Sequence, residues 1–258
     1  MPFSIEIIAH RGAGQSKRQP DTPPENTLAA FAYAWSPEVN ADAAELDIHL
    51  TSDGEIVVIH DDTTNRTTNA NWMVAEHTLA ELRTLDAGSW KGAQFAGVRI
   101  PTLAEVIETV PHGKRLFIEI KTGPRIVDPL VQVVRRSGKP ASQLPLISFN
   151  FDAIRRAKEK LPDHECYLLA SAKDLWLEQL QSPLAGPGLI QLVQSAGLDG
   201  IDGGFPMPRG WPEKIRRHNL KSVVWTVNNV DAARRMIDGG IRSITTDLPR
   251  QMRAALLG

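Results

Sequence analysis

Glu45 and Asp47 stand two residues apart in the apolar run Ala43–Leu50. On a β-strand, residues i and i+2 share a face, so both carboxylates point the same way. Side by side and away from water they repel each other and resist desolvation. A cation between them relieves both penalties. A second apolar run, Leu116-Phe117-Ile118-Glu119-Ile120-Lys121, adds a third carboxylate and, two residues on, a lysine on the same face. Three oxygen donors from two strands suit a hard cation, magnesium or calcium, rather than zinc. For the first pair alone, the competing reading is an edge strand with both carboxylates in water.

Cations and proton carriers recur at other strand ends. His10 and Arg11 end the run that starts at Ile5, His60 ends Glu55–His60, and Trp225, Asn228 and Asp247 follow late apolar runs. Glu45, Asp47 and Glu119 carry a charge of −3; a divalent ion, Lys121 and Arg11 bring the site to +1, and a phosphodiester anion would neutralise it. Arginine offers a phosphate its planar fork and lysine a mobile point charge. The two histidines can take and give a proton near neutral pH. This set suits metal-assisted hydrolysis of a phosphate ester.

Bringing positions so far apart in the chain to one mouth requires a scaffold that gathers strand ends. Strands are expected at 5–10, 43–50, 55–60, 115–121, 145–149, 165–170, 198–202, 221–227 and 242–246. Helices are expected from Thr27, with Leu28, Phe31, Ala32 and Trp35 at i, i+3, i+4 and i+7, and at 103–110, 126–137, 151–160, within 173–196, and at 212–218, 231–238 and 249–257. Setting aside the strand at 55–60, eight strands alternate with helices, which predicts a (β/α)₈ TIM barrel in one domain, 1–258, with a small insertion at roughly 51–101 after the second strand. An open doubly wound sheet is the rival. A barrel of this kind keeps its active site at the C-terminal strand ends, where these residues fall. The segment 61–99 is polar and irregular, with one short helix at 78–82. A connection this long points to a functional insertion.

Composition narrows the classes. With 42% apolar residues the chain builds a sizeable core, and its net charge of −1 gives no reason to expect nucleic acid or an acidic membrane as partner. Cys166 is the only cysteine, which excludes an internal disulfide. No apolar run approaches the ~18 residues of a membrane span. The first residues, Met1 to Ile8, lack a basic region before an apolar core, so a cytoplasmic protein is expected.

At His10-Arg11-Gly12, Pro24-Glu25-Asn26-Thr27, Glu45-Leu46-Asp47, His60-Asp61 and Glu119-Ile120-Lys121 the chain resembles the glycerophosphodiester phosphodiesterases. Trp225-Thr226-Val227-Asn228 and Thr246-Asp247-Leu248-Pro249 also look like that family. The resemblance implies a TIM barrel that cleaves small glycerophosphodiesters to glycerol 3-phosphate and an alcohol. It implies His10 and His60 as the acid–base pair, Glu45, Asp47 and Glu119 as ligands of calcium or magnesium, and Arg11 and Lys121 as phosphate contacts. Glu25 would approach the metal or its water, and Asn26 would hold the loop. The loop 12–25, with Lys17, Arg18 and three prolines, is longer than usual for the family, which bears on head-group preference. The alternatives are a lysophospholipase D or phospholipase-type cleavage on a similar barrel, and a non-catalytic binding barrel. Oligomeric state is not legible.

Other residues have structural readings. Gly12-Ala13-Gly14 lacks the third glycine of a nucleotide turn. His49 shares the face of Asp47 but is placed past the strand end, in a surface or hydrogen-bonding role. His77, His112, His164 and His218 are expected in water, and the pairs Arg135-Arg136, Arg216-Arg217 and Arg234-Arg235 on outer helix faces. Trp225 and Phe149 either pack or contact substrate. Trp72, Trp90 and Phe95 are expected to form a small core in the insertion.

Overall fold

A computed structural model describes residues 5–13, 21–179 and 188–258; Gly14, Lys17 and Arg18 lie outside the described residues. The strands are β1 (Glu6–Ala9), β2 (Ala43–Leu50), β3 (Ile56–Val58), β4 (Arg115–Ile120), β5 (Leu146–Ser148), β6 (Cys166–Ala170), β7 (Gly200–Gly204), β8 (Lys221–Trp225) and β9 (Ser243–Thr246). The helices are α1 (Leu28–Trp35), α2 (Leu79–Leu82), α3 (Leu103–Thr109), α4 (Val127–Ser137), α5 (Phe151–Lys160), α6 (Ala172–Gln179), α7 (Leu189–Ser195), α8 (Trp211–Arg217), α9 (Val230–Asp238) and α10 (Pro249–Leu257). Hydrogen-bonded neighbours run β1-β9-β8-β7-β6-β5-β4-β2, and β1 pairs β2, which closes eight parallel strands into a barrel. β3 lies antiparallel along β2, with Val58 opposite Ile48. No helix among the described residues is long and apolar enough to cross a membrane.

Period-two alternation sorts each strand between two environments. Ile7, Ala9, Leu46, Ile48, Leu116, Ile118 and Ile244 belong to the large cluster between sheet and helices. Ile8, Ala43, Phe117, Ile147, Tyr167, Leu169 and Val223 form a second cluster inside the barrel. The same parity carries Glu45, Asp47, Glu119 and Asp202 inward, above that cluster. Register sets Asp47 beside Glu119 across the β2–β4 pair.

The opposite pole is closed by ion pairs. Arg115 bonds Glu6 Oε1 at 3.0 Å and also pairs with Glu165. Glu165 accepts from Tyr167 Oη at 2.6 Å and pairs with Lys221, and Ser243 Oγ donates to Glu6 Oε2 at 2.7 Å.

Some expectations change. The buried side of α1 is Ala30, Phe31 and Ala34, while Leu28 is exposed. The helix is apolar on all sides, so its pattern does not define one stripe. Thr27 caps it, accepting from Ala30 N at 3.3 Å. His164 is buried, not solvated, because its Nδ1 meets Leu144 O at 3.0 Å. His77 is half-buried and stacks on Trp72, centroids 4.5 Å apart. Trp72 does pack against the apolar cluster of the 51–101 segment, formed by Val57, Ile59, Val74, Leu82, Leu85, Ala87 and Ile100. Trp90 and Phe95 stay half-buried beside it, Trp90 giving its indole N–H to Ala87 O at 3.0 Å.

Candidate active site

Glu45, Asp47 and Glu119 each bring an oxygen within 4.8 Å of the others, and all three residues are buried. Burial raises the Glu45 carboxyl well above the usual range, and the charges of Asp47 and Glu119 add to the rise. Burial and Asp47 likewise push Glu119 up to about 7. Burial also opposes ionisation of Asp47, but Arg11, Lys121 and His60 outweigh it and hold Asp47 ionised. Glu45 Oε1 and Asp47 Oδ1 are buried without a hydrogen-bond partner among the described residues. Two carboxylate oxygens left unsatisfied in one pocket, with Glu45 and Glu119 resisting ionisation, fit a divalent cation.

The chain bends sharply after β1 to frame this triad. Arg11 (φ 51°) and Gly12 (φ 76°) are left-handed. For arginine that conformation costs roughly 1–3 kcal/mol and must be held by its surroundings. Arg11 N–H donates to Glu45 Oε2 at 3.0 Å, and Arg11 O accepts from Asn26 N at 3.0 Å. A Cβ on Gly12 would come within 3.0 Å of the Ala30 backbone, so glycine also permits close approach to α1. Arg11 Nη1 donates to Glu25 Oε1 at 2.9 Å, and its Nε lies 3.5 Å from Asp47. Asn26, left-handed at φ 57°, donates Nδ2 to Asp47 Oδ2 at 2.8 Å. Glu25 therefore faces arginines rather than the triad.

The two histidines stand at the same mouth with different partners. His10 follows β1 directly; its Nδ1 is 2.7 Å from Asp247 Oδ1 and its Nε2 3.9 Å from Glu45 Oε2. Asp247 is fixed by Asn228, whose Nδ2 donates to Oδ2 at 2.6 Å. His60 lies two residues beyond β3; its Nδ1 is 2.6 Å from Asp61 Oδ1, and its Nε2 faces Lys121 Nζ at 3.2 Å. Burial lowers the His60 pKa, and Arg11 and Lys121 add to this against the pull of Asp47. Lys121 also donates to Glu119 Oε1 at 2.8 Å and lies 3.5 Å from Asp47 Oδ1. His49 belongs to β2 itself, is buried, and its Nε2 meets His60 O at 3.1 Å. β2 spans 43–50 as expected, so His49 lies within the strand and not past its end.

A cavity of about 260 Å³ opens over these groups, bounded by His10, Arg11, His60, Glu119 and Lys121 on one side. Phe149, Leu169, Asp202 and Trp225 are among the residues on the other. Trp225 gives its indole N–H to Asp202 O at 3.2 Å and meets Phe149 edge-on, centroids 5.6 Å apart. A larger hollow of about 540 Å³ near Tyr33, Glu38 and Arg250 includes neither histidine.

A profile of the glycerophosphoryl diester phosphodiesterase family matches residues 10–251. The chain belongs to this family. A glycerophosphodiester phosphodiesterase of Caldanaerobacter subterraneus subsp. tengcongensis is 35% identical over 252 residues, 95% of each chain. One of Bacillus subtilis is 28% identical, covering 96% of this chain and 85% of its own. Among solved structures, an Oleispira antarctica phosphodiesterase in complex with the product sn-glycerol-3-phosphate superimposes with TM-score 0.82 at 28% identity, covering 99% of this chain and 98% of that one. A glycerophosphodiester phosphodiesterase of Agrobacterium tumefaciens gives TM-score 0.76 at 26% identity, over 97% and 99%.

Within this phosphodiesterase fold, three groups beside the site are given no role by the sequence reading. Asp61 stands in the His60-Asp61 stretch that carries the resemblance, but without a role of its own, and Arg66 lies in the irregular segment, where nothing in the local pattern separates it from solvated residues. Asp202 ends the strand expected at 198–202, and the glycines around it draw no site reading to it. It is 1% exposed, and its Oδ1 has no hydrogen-bond partner among the described residues. Burial and the charge of Glu119 raise its carboxyl well above the usual range. Its inward parity with Gly200 on a barrel strand is the signal that could have found it.

Proposed function

We propose that the chain hydrolyses glycerophosphodiesters to glycerol 3-phosphate and an alcohol, as one catalytic domain with Mg²⁺ or Ca²⁺ on Glu45, Asp47 and Glu119. The observation that carries this reading is the buried carboxylate triad with Arg11, Lys121 and two histidines at the same mouth, in a chain of this family. The cation, when bound, supplies positive charge to the phosphoryl oxygens. Arg11 and Lys121 face the same oxygens and hold the diester in place. His60 is the base, taking the proton of the attacking hydroxyl, from water or from the substrate's own glycerol: its lowered pKa keeps it neutral, and with Nδ1–H given to Asp61, Nε2 accepts from Lys121 Nζ until that lysine turns to the phosphate and frees it. His10 is the acid, oriented through Nδ1 by Asp247, and delivers a proton to the departing alkoxide. Asn26 and Glu25 hold Asp47 and Arg11 in register. Trp225, with Phe149, contacts the part of the substrate beyond the phosphate.

The test is turnover of glycerophosphocholine with Mg²⁺ or Ca²⁺, with and without EDTA. Turnover that EDTA abolishes supports the reading. Cleavage of lysolipid alone would assign the 47% exposed Phe149 to an acyl chain instead, and no cleavage of any diester would leave a binding barrel.

A further inference from the structure

Arg66 belongs to the segment between β2 and α3, yet its guanidinium grips two carboxylates of the barrel mouth. Nη1 donates to Glu25 Oε2 at 2.9 Å and Nη2 to Glu25 Oε1 at 2.8 Å. Nε donates to Asp61 Oδ2 at 2.6 Å, and Nη2 also reaches Asp61 Oδ1 at 3.2 Å. Each carboxylate has a second partner that faces the cavity. Asp61 Oδ1 is 2.6 Å from His60 Nδ1, and Glu25 Oε1 accepts from Arg11 Nη1 at 2.9 Å.

We propose that Arg66 is a positioning residue that fixes His60 through Asp61 and Arg11 through Glu25, so that the proton-transfer group and the phosphate contact are set by one side chain. The inference rests on the roles given to His60 and Arg11 above.

An isolated exposed ion pair holds its partners only weakly. Arg66 differs in two respects. It binds both carboxylates through paired donors, a geometry that a planar fork makes and an ammonium does not. It also joins them across the structure, one carboxylate on the loop before α1 and one after β3. Its own backbone is anchored. Thr64, two residues before it, is fully buried; its N–H donates to Trp72 O at 2.9 Å and its hydroxyl to Ala70 O at 2.9 Å. Val74 N–H donates to Asp62 O at 2.9 Å, and Val74 belongs to the apolar cluster of this segment. The segment thus presents Arg66 from a packed base. Without the fork, Asp61 keeps only His60 among the described residues and can swing with it, while Arg11 loses the second arginine that pins its Glu25 partner.

The experiment uses the purified full chain and two readouts. In kinetics with glycerophosphocholine, Arg66→Ala should lower kcat at least ~10-fold and raise KM, a loss typical of groups that orient a catalytic side chain. Asp61→Asn should also lower kcat, and the loss in the double variant should fall short of the product of the two single losses, because Asp61 lies on one of the two paths from Arg66. Arg66→Lys, which keeps the charge but not the fork, should not rescue. In proton NMR, the His60 Nδ1–H resonance, assigned by its loss in His60→Ala, should broaden or vanish in Arg66→Ala but persist in Arg83→Ala, a surface arginine control. Retention of that resonance in a folded Arg66→Ala overturns the proposal whether or not the chain turns over a diester. So do additive losses in kcat, or full rescue by lysine. If Arg66→Ala does not fold, Arg66→Lys carries both readouts, and wild-type kinetics with an unchanged resonance overturns the proposal.

Discussion

Glu119 offers a test that needs no substrate. Burial and Asp47 carry its carboxyl from 4.5 to about 7 in the metal-free protein. In the unfolded chain it titrates near its ordinary value. Below pH 4.5 both states hold the proton and the group contributes no pH dependence. Between 4.5 and about 7 the unfolded state has released its proton and the folded state has not, so stability falls as pH rises. At 1.36 kcal/mol per pH unit, that window amounts to about 3 kcal/mol. Glu45, raised by burial beside Asp47 and Glu119, adds to the same slope. His60, lowered by burial, opposes it: stability rises with pH between its folded pKa and its unfolded one. The difference between wild type and Glu119→Gln reads Glu119 together with the effect of its charge on Glu45 and Asp202, since the amide cannot titrate. Urea unfolding in EDTA at half-unit steps from pH 4.5 to 8 should show that difference moving by about 3 kcal/mol in favour of the variant. Saturating Mg²⁺ or Ca²⁺ should abolish the wild-type share of the slope, because cation binding displaces the proton. A difference that stays flat across the window, or moves in favour of wild type, would refute the electrostatic account of the triad.

Three further outcomes are expected. Asp47→Asn should weaken divalent-ion binding at least ~10-fold by calorimetry, and unchanged affinity would remove it from the ligand set. His10→Ala should lower kcat at least ~100-fold with ion binding intact; a loss under tenfold would exclude it as the acid. Gly200→Ala would place a Cβ 2.1 Å from Lys221 O on the neighbouring strand, so it should cost roughly 1–3 kcal/mol or more in urea unfolding, and a neutral result would contradict the strand spacing.

The barrel was legible because a parallel strand buried on both faces reads as a short continuous apolar run, and helices separate such runs at regular distances. Against that background a carboxylate inside an apolar run stands out, which is how Glu45, Asp47 and Glu119 announced themselves. The outer ring of supports was not legible. Arg66 joins Glu25, from the loop before α1, to Asp61, which holds His60, and no local pattern encodes that meeting. Asp202 is flanked by glycines and acquires its position from strand register alone. His164 was misjudged because whether a histidine is wet depends on which carbonyl reaches it, and Leu144 O comes from elsewhere in the chain; His49 takes the hydrogen-bonding role expected of it, to His60 O, but from within β2.

The ionic knot of Glu6, Arg115, Glu165 and Lys221 makes the barrel a cup rather than a tube. Whatever enters must depart by the same rim, past Phe149 and Trp225. Glycerol phosphate and the freed alcohol therefore share one exit, and a lingering product blocks the next diester at the door.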